Sequence, residues 1–115
     1  MKTRFDNSRQ WLCADGRVCT IENMETAHLM NVLNMFINSP KRTVSMLISD
    51  IESQKNSWGI IPQSDLVSAS LRNVTSMSFD EIVGYSLTCP LGLAMLKELD
   101  RRGINTQNYI NQIRG

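Results

Sequence analysis

The feature that constrains this chain most is a turn signal followed closely by an amphipathic helical pattern. Asp15-Gly16 separates two short apolar runs, and the helical pattern begins at residue 24. Glycine accepts the positive φ of a tight hairpin turn and aspartate tolerates it, so residues 10–21 are predicted to form a β-hairpin. Because a two-stranded hairpin is only marginally stable in water, we expect it to pack against the helices that follow.

The pairing of the two strands depends on the length of the turn. A two-residue turn would pair Cys13 with Val18 and Leu12 with Cys19, and it would place Cys13 and Cys19 on opposite faces. A three-residue turn with a bulge would shift this register by one residue. The sequence leaves both arrangements open.

The region after the hairpin, residues 24–114, is predicted to be helical. Apolar residues recur at helical spacing within residues 24–37, namely at Leu29, Val32, Leu33, Phe36 and Ile37. Pro40 is expected at the first position of the next helix, since proline there loses no hydrogen bond. A connector over residues 54–63 and a short helix over 64–74 should follow.

The ends of the later helices carry clear signals. Ser78 and Glu81 form a capping-box pattern, and Pro90 predicts a break at Thr88-Cys89. Gly103 is expected to end a helix that begins at Pro90. In that helix we expect an inner face of Leu91, Leu93, Ala94, Leu96 and Leu99, and an outer face of Lys97, Glu98, Asp100, Arg101 and Arg102.

These patterns predict one domain over residues 1–115. Its fold class is mainly α, an N-terminal β-hairpin followed by a compact bundle of short helices, with α+β as the alternative. Residues 1–9 carry mostly polar side chains and are predicted to form a solvated arm. Seven methionines suit either a loosely specified core or an adaptable contact surface.

Composition limits the classes of function. The formal net charge is +1 at pH 7, so the charge balance does not require nucleic acid or an anionic membrane as partner. No apolar run is long enough to cross a bilayer, and the N-terminus lacks the apolar region of a signal peptide. Three cysteines are an odd number and suggest a reducing cytoplasm rather than a disulfide framework.

The sequence carries no strong catalytic or metal signature. The one histidine, His28, could pair with Cys13, Cys19 or Cys89, but nothing beyond the presence of these residues supports a nucleophilic site. Their spacing also differs from that of closed zinc sites, in which ligands two to four residues apart are paired. We therefore predict no enzyme activity, no metal site and no cofactor.

Two stretches together resemble a known group of proteins. The first is W-x3-D-G-x4-I-x2-M-x3-H-L-x-N, and the second is a C-terminal E-L-x2-R-G helix that begins at Pro90. The chain thereby resembles small tailed-phage proteins of unassigned function. The resemblance implies phage origin and the host cytoplasm, but no reaction. It singles out a structural motif of Trp11, Asp15, Gly16, Met24, His28 and Asn31, in which His28 and Asn31 are expected to hold the junction of hairpin and helix.

The function predicted from these observations is binding rather than catalysis. We expect an accessory protein that binds and modulates a host or phage protein, with Trp58, Lys41 and Arg42 as contact residues because the core pattern does not require them. Lys41 and Arg42 lie in a first helical turn, where the helix dipole disfavours cations. The alternative is a nucleic-acid-binding regulator with a helix-turn-helix-like segment in residues 64–102 and a basic helix end at Arg101-Arg102. Self-association into a homo-oligomer also stays open.

Overall fold

Two short strands and six helices account for most of the residues that the structure describes. It is a computed structural model that describes residues 3–13, 15–58 and 63–114, with the backbone alone for residues 54–58, 63–67, 113 and 114. The elements in chain order are β1 (Gln10–Leu12), β2 (Val18–Thr20), α1 (Thr26–Asn38), α2 (Pro40–Trp58), α3 (Gln63–Ser76), α4 (Phe79–Thr88), α5 (Pro90–Arg101) and α6 (Thr106–Arg114). The predicted fold class, mainly α with an N-terminal hairpin, is confirmed.

The hairpin uses the longer of the two predicted turns. The Cys13 N–H donates to the Arg17 carbonyl at 2.8 Å, and Gly16 has a φ of +89°. Leu12 therefore pairs with Val18, and Trp11 pairs with Cys19. The register of the two-residue turn is wrong, because the extra residue is absorbed at the glycine, where a positive φ costs little.

This register separates the two faces of the hairpin. Trp11 and Cys13 lie on the inner face and are buried, and Cys19 is half-buried beside them. Leu12 and Val18 lie on the outer face and are exposed. The ring of Trp11 meets Phe36 of α1 edge-on, with the ring centroids 5.9 Å apart. Trp11 is therefore the anchor by which the hairpin packs on the helices.

The prediction of a solvated arm over residues 1–9 is wrong for residues 3–5, whereas residues 6–9 are exposed. Arg4–Asp6 form a 3₁₀ turn, and Phe5 in this turn is fully buried against Phe36. Arg4 makes a bidentate ion pair with Asp50 of α2, at 2.8 and 2.9 Å. The buried ring of Phe5 and the ion-paired guanidinium of Arg4 are sufficient to hold this segment against the helices, although most of its residues are polar.

Helix α1 lies at the centre of the molecule and contacts α2, α4, α5 and α6. It begins at Thr26, two residues later than predicted, because a 3₁₀ turn over Ile21–Asn23 precedes it. The fully buried apolar side chains come from the N-terminal turn, α1, α4 and α5, and include Phe5, Leu29, Leu33, Phe36, Ile82, Leu91, Met95 and Leu99. The predicted apolar stripe of α1 is buried along its whole length.

Helices α4 and α5 meet at one residue, as the proline predicted. Cys89 ends α4 and caps α5, and its Sγ accepts from the Gly92 N–H at 3.4 Å. A Cβ built on Gly92 would lie 1.9 Å from the Ser86 carbonyl oxygen. The two helices therefore approach so closely that only glycine fits at this position.

The predicted faces of α5 are correct at some positions and wrong at others. Leu93 was placed inward but is 53% exposed, whereas Met95 is fully buried in the core. Glu98 was placed outward but is only 6% exposed, and Arg102 is also mostly buried. The buried face of α5 is therefore rotated toward Met95 and Glu98. The carboxylate of Glu98 can be buried because Arg101 and Arg102, one turn further along the helix, both bind it.

The end of α5 follows the predicted glycine signal. Gly103 has a φ of +87°, the Ile104 N–H donates to the Leu99 carbonyl, and the Gly103 N–H donates to the Asp100 carbonyl. This pair of bonds is a Schellman motif, which satisfies the last carbonyls of the helix. The chain then enters α6, whose Tyr109 hydroxyl donates to the Met30 carbonyl of α1 at 2.8 Å.

Candidate functional site

Lys41 and Arg42 lie in the first turn of α2 and are both exposed. No carboxylate in the described ranges forms an ion pair with either side chain. The amide groups at this helix end carry partial positive charge, so the two cations stand where the fold gains nothing from them. The structure therefore places both predicted contact residues on the surface, where they are accessible to a partner.

An apolar hollow of about 400 Å³ adjoins these two side chains. It lies between the outer face of β1, the last turns of α1 and the first two turns of α2. Leu12, Met35 and Met46 supply its apolar lining. Leu12 is 37% exposed, although it lies in a strand of the hairpin. This hollow offers the apolar contact that protein partners usually require near a charged rim.

A second hollow, of about 540 Å³, lies on the other side of the same two cations. Its apolar side chain is Phe79, which begins α4 and is 53% exposed. We call Leu12, Met35, Lys41, Arg42, Met46 and Phe79 together the basic–apolar surface. On it Lys41 and Arg42 line both hollows, so that exposed apolar side chains and two cations adjoin one another, as is common at interaction sites.

Trp58, the third predicted contact residue, is the last residue of α2. Its side chain lies outside the described part of the structure, so the prediction stands as it was made. The structure thus brings Lys41 and Arg42 together with apolar side chains that the sequence did not connect with them.

The residues of the N-terminal motif have different structural roles. Trp11 and Met24 are 5% exposed and belong to the core. Asp15 and Gly16 shape the turn, since the Asp15 carboxylate accepts from the Arg17 backbone N–H at 3.0 Å. Asn31 is exposed on α1 and makes no hydrogen bond to another described residue, so its role at the hairpin–helix junction stays a prediction.

His28 lies near two of the three cysteines. The Sγ atoms of Cys13 and Cys19 are 3.0 Å apart, and a ring nitrogen of His28 lies within 4.8 Å of both. The corrected register explains this, because Cys13 and Cys19 are diagonal neighbours on the inner face of the hairpin. The inference that they face opposite sides fails together with the two-residue turn.

The ionisation of the thiols bears on nucleophilic chemistry. The hydrogen bond with Cys19, together with burial, raises the pKa of the Cys13 thiol to about 11. Burial also raises the pKa of Cys89, whose sulfur is engaged in the cap of α5. A thiol is a nucleophile only as thiolate, so the environments of Cys13 and Cys89 disfavour attack at neutral pH.

The basic end of α5 is built into the fold. The Glu98 carboxylate accepts from Arg101 at 3.0 Å and from Arg102 at 2.7 Å. Arg102 also donates to the Thr26 hydroxyl and to the Glu22 carbonyl, at 3.0 and 3.1 Å. The two stretches of the resemblance therefore meet here, and the arginine of the second one fixes the start of α1.

Sequence reasoning missed this ion-pair network, although a signal for it was present. Glu98 stands three and four residues before the two arginines, the spacing at which charged side chains meet on a helix. The bonds from Arg101 and Arg102 lower the pKa of the Glu98 carboxyl to about 2. These arginines are thus already paired, in contrast to Lys41 and Arg42.

A hollow of about 570 Å³ between the hairpin and α5 is a weaker candidate despite its size. Its charged lining includes Glu98 and Arg101, which already bind each other. Arg9, Glu22 and Lys97 also line it, but none of the large apolar side chains exposed in the described structure does. Volume alone therefore does not identify the site, and the basic–apolar surface is the better candidate.

Comparison of the chain with protein-family models, with curated proteins and with solved structures finds no match. Among the helices of the described ranges, none has the combination of length and apolar character that spanning a membrane requires.

Proposed function

We propose that this protein acts by binding another protein through the basic–apolar surface. The partner would supply an apolar side chain to one of the two hollows and carboxylates to Lys41 and Arg42. In this proposal it is a small phage accessory protein that binds and modulates a host or phage protein in the host cytoplasm. The phage context rests on the resemblance of its two motifs to tailed-phage proteins.

The observation that carries the proposal is the combination of unpaired charge and exposed apolar area at one place. Two of the four large apolar side chains exposed in the described structure, Leu12 and Phe79, belong to this surface. Exposed apolar area beside charges without partners is typical of interaction sites in soluble proteins. Neither feature improves the fold, so a contact with a partner explains both.

The composition of the surface favours a protein as the partner. Met35 and Met46 are flexible, polarizable side chains that can adapt to the shape of a bound segment. Two lysine or arginine side chains are few for a phosphate backbone, where binding strength grows with the number of phosphates neutralised. An acidic segment with an apolar anchor fits this surface better than a nucleic acid does.

The nucleic-acid alternative stays a prediction with weaker support. Its basic helix end consists of Arg101 and Arg102, both of which are bound to Glu98. Helix α5 also buries Leu91, Met95 and Leu99 completely, which leaves it a narrow free face. A recognition helix would have to contact the base edges in a DNA groove with that narrow face.

The proposal can be tested by affinity capture from bacterial lysate, with and without phage infection. Wild-type protein would be compared with a Lys41→Glu/Arg42→Glu variant and with Lys97→Glu as the matched control. Lys97 is exposed on α5 and lines neither hollow of the basic–apolar surface. We expect one stoichiometric protein that survives nuclease treatment, is retained by the control and is lost with the double variant.

Affinity for that protein should then be measured by titration calorimetry. Charge reversal of both cations should weaken binding by about 100-fold, whereas Leu12→Ala should weaken it by about 10-fold. Prey that disappears after nuclease treatment would favour the nucleic-acid alternative. Equal loss with Lys97→Glu would show that the basic–apolar surface is not the binding site.

A further inference from the structure

Three potential metal ligands converge where the hairpin packs on α1. Cys13 follows β1, Cys19 lies in β2, and His28 is the third residue of α1. The two Sγ atoms and a ring nitrogen of His28 all lie within 4.8 Å of one another. Three different elements thus contribute one ligand each to a single point.

We propose that Cys13, Cys19 and His28 bind one Zn²⁺ ion. Two sulfurs and one imidazole nitrogen form a ligand set that this borderline-soft ion prefers. The inference is independent of the proposed partner-binding function, since the basic–apolar surface shares none of these three residues.

The distances suit a tetrahedral site after a small adjustment. Zinc–sulfur bonds of about 2.3 Å place two thiolates about 3.8 Å apart. The thiols are 3.0 Å apart and joined by a hydrogen bond, so the sulfurs would separate by less than about 1 Å on binding. The ring nitrogen of His28 lies within 4.8 Å of both sulfurs, and zinc bonds of about 2.3 Å to sulfur and 2.0 Å to nitrogen would bring it to about 3.5 Å from them.

The surroundings leave one coordination position accessible. A hollow of about 590 Å³ adjoins Cys19 and His28 and is bordered by Thr20, Asn23 and Glu25. Water can enter it, and the Glu25 carboxylate is at its edge. The third cysteine, Cys89, is not part of the cluster, because its thiol caps α5.

The spacing of the three ligands along the sequence does not indicate a zinc site. Structural zinc sites usually present ligands in pairs two to four residues apart, but Cys13 and Cys19 are six apart. The bulged turn brings them together on one face, where a two-residue turn would have separated them. The expectation of no metal site relied on the ligand spacing and, for a two-residue turn, on that separation.

A zinc ion at this point would have a structural consequence. The hairpin has only three residues in each strand, and a lone hairpin of this size is marginally stable. Binding to ligands on both strands and on α1 would hold these three elements together. Metal-binding free energy would then add to the stability of the folded chain.

The test uses the full chain, reduced and freed of metal, titrated with Co²⁺ and then with Zn²⁺. Co²⁺ reports on geometry, since tetrahedral sites give strong visible bands and thiolates give a charge-transfer band in the near ultraviolet. We expect a 1:1 complex with two thiolates bound, displacement of Co²⁺ by Zn²⁺, and a higher Tm with Zn²⁺ than without it.

Variants then identify the ligands. Cys13→Ser, Cys19→Ser and His28→Gln should each weaken Zn²⁺ affinity by more than about 100-fold, whereas Cys89→Ser should leave it unchanged. Circular dichroism checks the fold, and alanine replaces serine where a serine variant unfolds. The number of thiolates in the wild-type Co²⁺ spectrum tests the proposal without any variant.

Three results would overturn the proposal. The first is a Co²⁺ titration without tetrahedral or thiolate bands at 1:1 stoichiometry. The second is an equal loss of affinity with Cys89→Ser. The third is loss of two thiols on exposure to air despite excess Zn²⁺, which would assign Cys13 and Cys19 to a disulfide pair instead.

Discussion

The chain contains two pairs of adjacent basic residues, one at the C-terminal end of a helix and one at the N-terminal end of another, and the two pairs differ in their contacts. Arg101 and Arg102 stand at the end of α5, where the helix dipole favours cations, and both are bound to the buried Glu98. Lys41 and Arg42 stand in the first turn of α2, where the dipole disfavours them, and no described carboxylate pairs with either.

This contrast separates charge that serves the fold from charge that, in the proposed function, serves a contact. The guanidinium of Arg102 is 18% exposed and joins α5 to the start of α1, so its position is determined by packing. Lys41 and Arg42 form no comparable ion pair with another described residue. A charge kept where it weakens a helix is better explained by a partner than by stability.

The largest expected effect comes from displacing α5, which carries the paired arginines. Gly92→Ala should lower the free energy of unfolding by about 3 kcal/mol or more, because a Cβ there would lie 1.9 Å from the Ser86 carbonyl oxygen. The matched control is Gly84→Ala in α4, where nothing lies within 4 Å of the added atom. That change should stabilise the chain by about 0.5–1 kcal/mol in urea unfolding. Similar effects at both positions would contradict the close approach of α4 and α5.

The next effect concerns the carboxylate that binds the two arginines. Glu98→Gln should lower Tm at pH 7, and Glu52→Gln, on the exposed face of α2, should leave it nearly unchanged. The pKa of Glu98 is lowered from 4.5 to about 2, first by Arg101 and then by Arg102, so its contribution is present above pH 4.5 and lost as the pH falls toward 2.

Thermal unfolding of wild type and Glu98→Gln at several pH values checks this prediction. The difference in Tm should be constant above about pH 5 and should shrink between pH 4.5 and pH 2. A difference that stays the same across that range would mean that ionisation of Glu98 does not stabilise the fold.

A smaller effect is expected at Thr43, on the buried side of the turn that carries Lys41 and Arg42. Its hydroxyl is fully buried and has no hydrogen-bond partner within the described structure. Thr43→Val should therefore raise the free energy of unfolding by about 1 kcal/mol. Ser86→Ala is the control, since the Ser86 hydroxyl donates to the Val83 carbonyl at 2.8 Å and its removal should not stabilise. Destabilisation by Thr43→Val would indicate that the threonine hydroxyl forms a hydrogen bond in solution.

The smallest expected effect would distinguish the two basic pairs most directly. Lys41→Glu/Arg42→Glu should raise the free energy of unfolding by about 0.5 kcal/mol at low salt, because acidic side chains suit the first turn of a helix. The gain should disappear in high salt, and Lys97→Glu, nearer the end of α5, should show no gain. A double variant that is less stable than wild type would assign a structural role to Lys41 and Arg42.

Much of the local structure could be predicted from the residues themselves. Pro40, the capping box of Ser78 and Glu81, the break before Pro90 and the ending at Gly103 are all found as expected. Each of these signals acts within a few residues, through fixed φ, a missing N–H or a local hydrogen bond. Such effects do not depend on the rest of the fold.

The candidate sites could be predicted only in part. Lys41 and Arg42 were identified because they conflict with the helix dipole, but their apolar neighbours Leu12 and Phe79 come from distant segments. A zinc site of Cys13, Cys19, His28 and Cys89 was not predicted, because the spacing matches no closed structural site and a two-residue turn would place Cys13 and Cys19 on opposite faces. A shift of one residue moves every side chain of a strand to the other face.

The sequence by itself determined the helix ends that carry a local signal and which stripe of α1 is buried, since these depend on backbone geometry and on periodicity. It did not determine the start of α1 or the end of α2, which continues to Trp58 although a connector was predicted over residues 54–63. Tertiary structure decided which groups from distant segments meet. Phe5 is buried because it packs against Phe36 of α1, and Arg102, which binds Glu98, also reaches Thr26 and the Glu22 carbonyl. The free energy of a charge depends on desolvation and on the nearest opposite charge, and both are properties of the packed fold.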